Sequence, residues 1–445
     1  MQPTECLIEA RWIIPVVPSG VVLEHHALFI RRGQIEDLLP IPDAHRRYAN
    51  VERVELAQHA LLPGLVNAHT HAAMTLFRGL GGDQPLKRWL EDYIWPLEAT
   101  FVDPDFVRDG SRLAIAEMLR SGTTCFNDMY FYPDQTIEEA INSGIRLVSG
   151  IVVLDFPTRF AQTPQEYFKK GFEIRDRYRH EPRIHFTLAP HAPYTVGEDT
   201  LRQVARYADE LGLRVHIHVH ETREEVQRFE LAHGSTPIQA LDRLGLLTPE
   251  LLAVHVTTLG PGDLERLARA QGWVIHCPES NLKLGSGCCP VAELQDAGVG
   301  LALGTDGAAS NDDLDMLGEM RSAAFLAKGL TRDPGRLTAR EVLAMATLGS
   351  AQALGLSDVI GSIERGKAAD LLAINLARPA TLPCYDPVAQ IVYAASRDQV
   401  SHVWIDGVIK VEDGKLLGTA QDTLMDTANA WRERIRSRHA GSGPS

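Results

Sequence analysis

The sequence has no basic patch. Its 44 Lys and Arg face 58 Asp and Glu, the formal net charge is −14, and the cations are nowhere clustered. Nucleic acid and anionic membranes are therefore poor partners. No run approaches the roughly 20 apolar residues of a membrane helix. The first stretch, MQPTECLIEARW, lacks the basic start and long apolar middle of a secretory signal. Six cysteines (Cys6, Cys125, Cys277, Cys288, Cys289 and Cys384) form no CxxC pair and no regular framework. That spacing suits a reducing compartment, so a cytoplasmic protein is expected. Cys288 and Cys289 suggest no role. Repeats and low-complexity segments are missing apart from a short Gly/Ser tail.

What is present is length and β-like pattern. The chain has 445 residues, 44% of them apolar, enough for one long barrel and a smaller domain. Eight Val-, Ile-, Leu- and Thr-rich runs fall at 61–68, 123–129, 145–154, 183–189, 213–220, 251–256, 273–277 and 299–305. Their nearly continuous hydrophobicity is that of strands covered on both faces. Amphipathic segments at 110–122, 200–213 and 264–272 lie between them and reach Gly at or near their ends, a helix stop signal. Alternating β and α units predict an α/β fold, a (β/α)8 TIM barrel, over 61–360. An open doubly wound sheet is the alternative.

Both chain ends are β-rich without intervening helices. ALFIRRGQIEDLLP lies in 1–60, and KAADLLAINL and HVWIDGVIKVEDGKLL lie in 361–420, with Asp-Gly hairpin signals at 406–407 and 413–414. They are expected to pack together as a small β-sandwich, with a terminal helix and tail over 421–445.

Barrel active sites lie at the C-terminal ends of the strands. Here those ends are unusually polar. The first run closes on His69 and His71, the fourth is followed by His191, and the fifth ends in His216, His218, His220 and Glu221. The sixth carries His255 and the eighth leads into Asp306. Strand residues i and i+2 share a face, so His69 and His71 can grip one cation, although an HxH alone is weak evidence. In VHIHVHE, alternation puts the three histidines on one face and Val215, Ile217 and Val219 on the other. Three inward histidines cannot all ligate one ion, and His218 at the strand end is the expected ligand. The set His69, His71, His218 and Asp306 plus a water suits catalytic zinc, or another divalent transition metal. Such an ion lowers its water's pKa to about 7. The fourth run, RIHFTLAPH, has no lysine to bridge two metals, so one is expected.

Taken together, PGLVNAHTH, the HxxE of HVHET, His255 and GTDGAASND resemble the amidohydrolase superfamily, and within it the 5'-methylthioadenosine/S-adenosylhomocysteine deaminases. The likeness spans nearly the whole chain, including GSIERGKAADLLAINL. It implies His69, His71, His218 and Asp306 as metal ligands. It implies Glu221 as the acid that protonates a purine ring nitrogen, and His255 as the imidazole that hydrogen-bonds the metal-bound water or the tetrahedral intermediate. It also implies Glu98, in WPLEA, as the carboxylate that holds ribose hydroxyls, and His191 as a purine contact. Glu98, His191, Glu221 and Asp306 would then touch a purine nucleoside, a small-molecule partner. The implied reaction is hydrolytic deamination of an adenine ring, with Asp306 taking the water's proton. A homo-oligomer is the usual expectation for such enzymes.

Read without the resemblance, Glu221 could be a helix-entry carboxylate, Glu98 a surface acid, and the Trp89, Tyr93 and Trp95 stripe plain core. The resemblance also implies arginines after the third strand for recognising a charged S-adenosylhomocysteine tail. DFPTRFAQTPQEYFKKGF offers Arg159 and no clear second. The neutral 5'-methylthioadenosine is therefore the expected substrate, with S-adenosylhomocysteine or adenosine as alternatives. Rival readings are a deaminase of a free base such as guanine, an oxidised purine or cytosine, a triazine-type aminohydrolase or chlorohydrolase, and a catalytically dead scaffold. The HxE and PCxxC signature of the other zinc deaminase type is absent.

Overall fold

Eight parallel strands make the barrel, and both chain ends make a second sheet beside it. The computed structural model describes residues 5–418 and 420–439, so the expected Gly/Ser tail over 441–445 lies outside the described residues. In chain order the strands are β1 Glu5–Ile13, β2 Leu23–Arg31, β3 Gln34–Pro40, β4 Arg53–Pro63, β5 Leu65–Thr70, β6 Thr123–Asp128, β7 Arg146–Val153 and β8 Ile184–Pro190. Then come β9 Val215–Val219, β10 Leu251–His255, β11 Trp273–His276, β12 Gly300–Leu303, β13 Leu371–Asn375, β14 Val400–Ile405, β15 Val408–Glu412 and β16 Lys415–Leu416.

Strands β5 to β12 pair in sequence order, all parallel. The open sheet is excluded because the last strand returns to the first. The Asp306 N–H donates to the His69 carbonyl at 3.0 Å, and Asn67 and Thr305 exchange bonds of 2.7 and 3.0 Å. A Cβ on Gly304 would come within 2.9 Å of His69, so only glycine lets the two strands approach there. The first apolar run of the sequence is divided at Gly64. Its Leu61–Pro63 part ends β4 in the other sheet, and the barrel strand starts at Leu65.

Period two sorts the barrel side chains. Val215, Ile217 and Val219 pack outward against helix residues such as Leu201, Val204 and Ile238. Val66, Ala68, Val148, Leu252, Val254, Ile275 and Ala302 fill the interior toward the closed end. Between strands, helices such as Pro133–Ser143 and Glu198–Leu211 stop at left-handed Gly144 and Gly212.

The sheet from the chain ends is one continuous mixed sheet, ordered β16-β15-β14-β13-β4-β1-β2-β3. It folds over so that Ile8 and Leu28 share a core with Leu371, Ala373 and Trp404. The alternate β13 residues, Leu372 and Ile374, face the barrel's core. A buried ion pair joins the two units. Arg146 on β7 contacts Asp370 at 3.2 Å and Asp406 at 3.0 Å. A helix over Gln421–His439 packs Trp431 against Phe106. No helix among the described residues is long and apolar enough to cross a membrane.

Candidate active site

The imidazoles and carboxylates singled out at the strand ends converge at the barrel mouth. His69 Nε2 and His71 Nε2 each lie 3.3 Å from Asp306 Oδ1, and His218 Nε2 lies 3.2 Å from His69 Nε2. Four ligand atoms about 2.0–2.1 Å from a tetrahedral zinc stand about 3.3–3.4 Å apart, so this spacing fits such an ion. His69, His218 and His255 also present ring nitrogens within 4.8 Å of one another.

Each ring is held from behind. His71 Nδ1 donates to the Met129 carbonyl at 2.6 Å, and His218 Nδ1 donates to the His191 carbonyl at 2.7 Å. A carbonyl only accepts, so these contacts fix the proton on Nδ1 and leave Nε2 a free lone pair. Burial lowers the pKa of His69 to about 4 and pushes His218 well below its ordinary value, with the neighbouring imidazoles adding to the shift. Both are neutral at pH 7, as metal ligands must be. The donor set fits a divalent transition metal.

The two carboxyl groups beside this cluster differ. Burial pushes Asp306 up, but His69, His71 and His255 outweigh it and hold the group ionised, well below the ordinary range. Asp306 Oδ1 also accepts from the Gly307 N–H at 2.7 Å, and Oδ2 accepts from Ser280 and Ser310 at 2.7 and 2.9 Å. Glu221 is driven the other way, well above its ordinary value, by burial and then by the Asp306 and Glu225 carboxylates. Its surroundings thus favour the neutral acid. The helix-entry role open to Glu221 belongs to Glu225. Thr222 caps helix Arg223–His233, and the Glu225 carboxylate accepts from the Glu221 and Thr222 N–H groups at 2.7 and 3.3 Å. Glu221 is thereby left free to face the cavity.

His255 reaches the site through its backbone. Ala253 packs outward and Val254 inward, so plain alternation would aim residue 255 outward. A φ of +78° turns it in instead. Its Nδ1 meets Asn281 Oδ1 at 2.9 Å, and its Nε2 stands 3.9 Å from Glu221. His220 departs from the inward placement that alternation predicts. Strand β9 ends at Val219, φ at His220 is +54°, and its ring instead meets the Thr258 carbonyl and the Ile238 N–H.

Over the cluster opens a cavity of about 650 Å³, a size suited to a nucleoside. His191 and Tyr194 line one side, and Trp95, Phe156 and Phe160 another. Glu98 sits in the wall on helix Trp95–Phe101, after a π-helical turn at Trp89–Ile94. It is half-buried, accepts from the Tyr130 hydroxyl at 2.8 Å, and is pushed by burial up to about 7. Among the described residues Arg159 is the only Lys or Arg lining the cavity, and its guanidinium donates to the Thr100 carbonyl at 3.1 Å beside Asp103.

Sequence reasoning missed Tyr130, Ser280, Asn281 and Ser310. Each lies just past a barrel strand, as NDMYF, HCPESN and GTDGAAS show, and that position was their only signal.

Comparison with known proteins agrees with this geometry. The amidohydrolase family profile matches residues 60–410. A 5-methylthioadenosine/S-adenosylhomocysteine deaminase from Teredinibacter turnerae is 45% identical over 96% of this chain and 97% of its own. A 5'-deoxyadenosine deaminase from Methanothermobacter thermautotrophicus is 42% identical over 83% and 86%. The crystal structure of an adenosine deaminase from Xanthomonas campestris with bound zinc superposes with a TM-score of 0.95 at 47% identity, covering 97% of this chain and 98% of that one. The chain belongs to the amidohydrolase family, among its 5-methylthioadenosine/S-adenosylhomocysteine deaminases.

Proposed function

We propose that this protein hydrolytically deaminates the adenine ring of a 5'-substituted adenosine, with 5'-methylthioadenosine its preferred substrate. The observation that carries the reading is a pair of carboxyl groups in one cavity whose surroundings push them in opposite directions, Glu221 toward its protonated form and Asp306 toward its ionised one. Environments that push two pKa values apart assign an acid and a base.

His69, His71, His218 and Asp306 would hold one zinc ion per chain. When bound, zinc supplies an electrophilic charge and a water made acidic enough to attack at neutral pH. Asp306 takes the proton of the attacking water as its oxygen bonds the amino-bearing ring carbon. Glu221 gives its proton to the adjacent ring nitrogen, and His255 hydrogen-bonds the incoming oxygen. The amino group leaves as ammonia with the proton held by Asp306, the remaining hydroxyl proton returns to Glu221, and the ring becomes that of hypoxanthine. Glu98 accepts from the ribose hydroxyls and His191 contacts the purine. The thiomethyl group lies against Trp95, Phe156 and Phe160. Arg159 is the one Lys or Arg of that wall among the described residues, and Asp103 stands 3.9 Å from its guanidinium, so a carboxylate tail would meet a single, partly compensated cation.

Ammonia release by zinc-loaded protein tests this. Methylthioadenosine, S-adenosylhomocysteine, adenosine, guanine and cytosine are compared side by side. Methylthioadenosine should have the highest kcat/KM. Equal turnover of S-adenosylhomocysteine would overturn the selectivity, and activity confined to a free base would overturn the role of Glu98.

A further inference from the structure

The face of β9 that carries His218 also carries His216, two residues earlier, and the reaction above gives it no task. Its ring is fully buried inside the barrel, 80° from the plane of His69 with centroids 4.9 Å apart. His216 Nε2 lies 2.8 Å from His69 Nδ1. On its far side, His216 Nδ1 lies 3.2 Å from Nδ2 of Asn127, a fully buried residue of β6. That Nδ2 also donates to the Ala68 carbonyl at 2.9 Å. The Oδ1 of Asn127 is buried with no hydrogen-bond partner among the described residues.

His69 is thus held differently from the rings beside it. His71 and His218 rest Nδ1 on backbone carbonyls, which fixes their tautomer. His69 rests on another imidazole, which donates or accepts according to its own tautomer. For His69 to offer Nε2 to a cation, its Nδ1 must carry the proton and His216 Nε2 must accept it. His216 then carries its proton on Nδ1 and needs an acceptor on Asn127. A half-turn of that amide places the unpartnered Oδ1 there, at the expense of the bond to Ala68.

We propose that His216, backed by Asn127, is a positioning residue that fixes the ring plane and tautomer of His69 for metal binding. His216 acts through His69 and does not meet substrate. The inference rests on the metal site proposed above.

The test is the zinc dissociation constant, measured by competition with a chromophoric chelator on metal-stripped full-length protein. His216→Leu should weaken zinc binding about 10- to 100-fold, with turnover recovered when excess zinc is supplied. His216→Gln keeps an acceptor toward His69 and should stay within about threefold of wild type. Asn127→Leu should weaken binding in the same direction, and it carries the test together with the Gln variant if His216→Leu does not fold. Wild-type zinc affinity in either Leu variant overturns the proposal. So does a Gln variant as weak as Leu. Wild-type protein that binds no zinc would instead overturn the metal site itself.

Discussion

One oxygen holds His218 in place: the carbonyl of His191 accepts both the His218 ring N–H, at 2.7 Å, and the His218 peptide N–H, at 3.0 Å. His191 thus serves the proposed metal site through its backbone and the proposed substrate site through its ring. His191→Ala should retain a full complement of zinc by elemental analysis while KM for the nucleoside rises about tenfold, a loss of roughly 1.4 kcal/mol. Loss of zinc from that variant would show that the ring itself supports the centre.

Glu221→Gln removes the proton donor and leaves the Glu225 capping box intact. It should lower kcat about 100- to 10,000-fold with zinc content and melting temperature unchanged. Activity within a few-fold of wild type would assign the proton transfer elsewhere.

Glu98 makes stability depend on pH. Its folded pKa, about 7, exceeds its ordinary 4.5, so the native state binds this proton more tightly than the unfolded one. The stability it contributes is present below pH 4.5 and is lost as pH rises through 7. Because cavity water screens the group, the loss is about 2 kcal/mol. Glu98→Gln should therefore melt higher than wild type at pH 8 and nearly equal to it at pH 4.5. The opposite trend would mean that the carboxylate is stabilised as an anion.

The pair of Arg146 and Asp370, 3% and 1% exposed, lies far from the chemistry. Asp370→Ala leaves a buried guanidinium short of its partner and should cost about 3 kcal/mol or more in denaturant unfolding. Zinc affinity and KM of the folded fraction should not change.

The fold was legible because the barrel strands are continuous apolar runs, covered on both faces, and each pairs with the next in sequence. The proposed metal donors stood out for a related reason: polar residues such as His69 and Asp306 are conspicuous at the ends of apolar strands. Alternation misled at His220, where β9 has already ended, and would misplace His255, the last residue of β10. At His220 and His255 the backbone passes into the left-handed region, and a rule of period two cannot anticipate that turn. The supports were hidden because they come from distant segments. Asn281 behind His255 and Ser280 on Asp306 look like any loop residues until the strands are assembled.

The closure of β12 onto β5 also sets when the protein can mature. Asn67 and Thr305 are 238 positions apart, so this seam cannot form until all eight barrel strands have been made. At about 5–20 residues per second, it waits some 10–50 s after its first side has been synthesised. The donors straddle it, His69 and His71 on one side and Asp306 on the other. A cation captured there is a clasp on a finished barrel, and free metal at 100 times its dissociation constant would favour the closed ring by about 2.7 kcal/mol. Stripping the metal should lower the melting temperature and speed hydrogen exchange first along β5 and β12, ahead of β7.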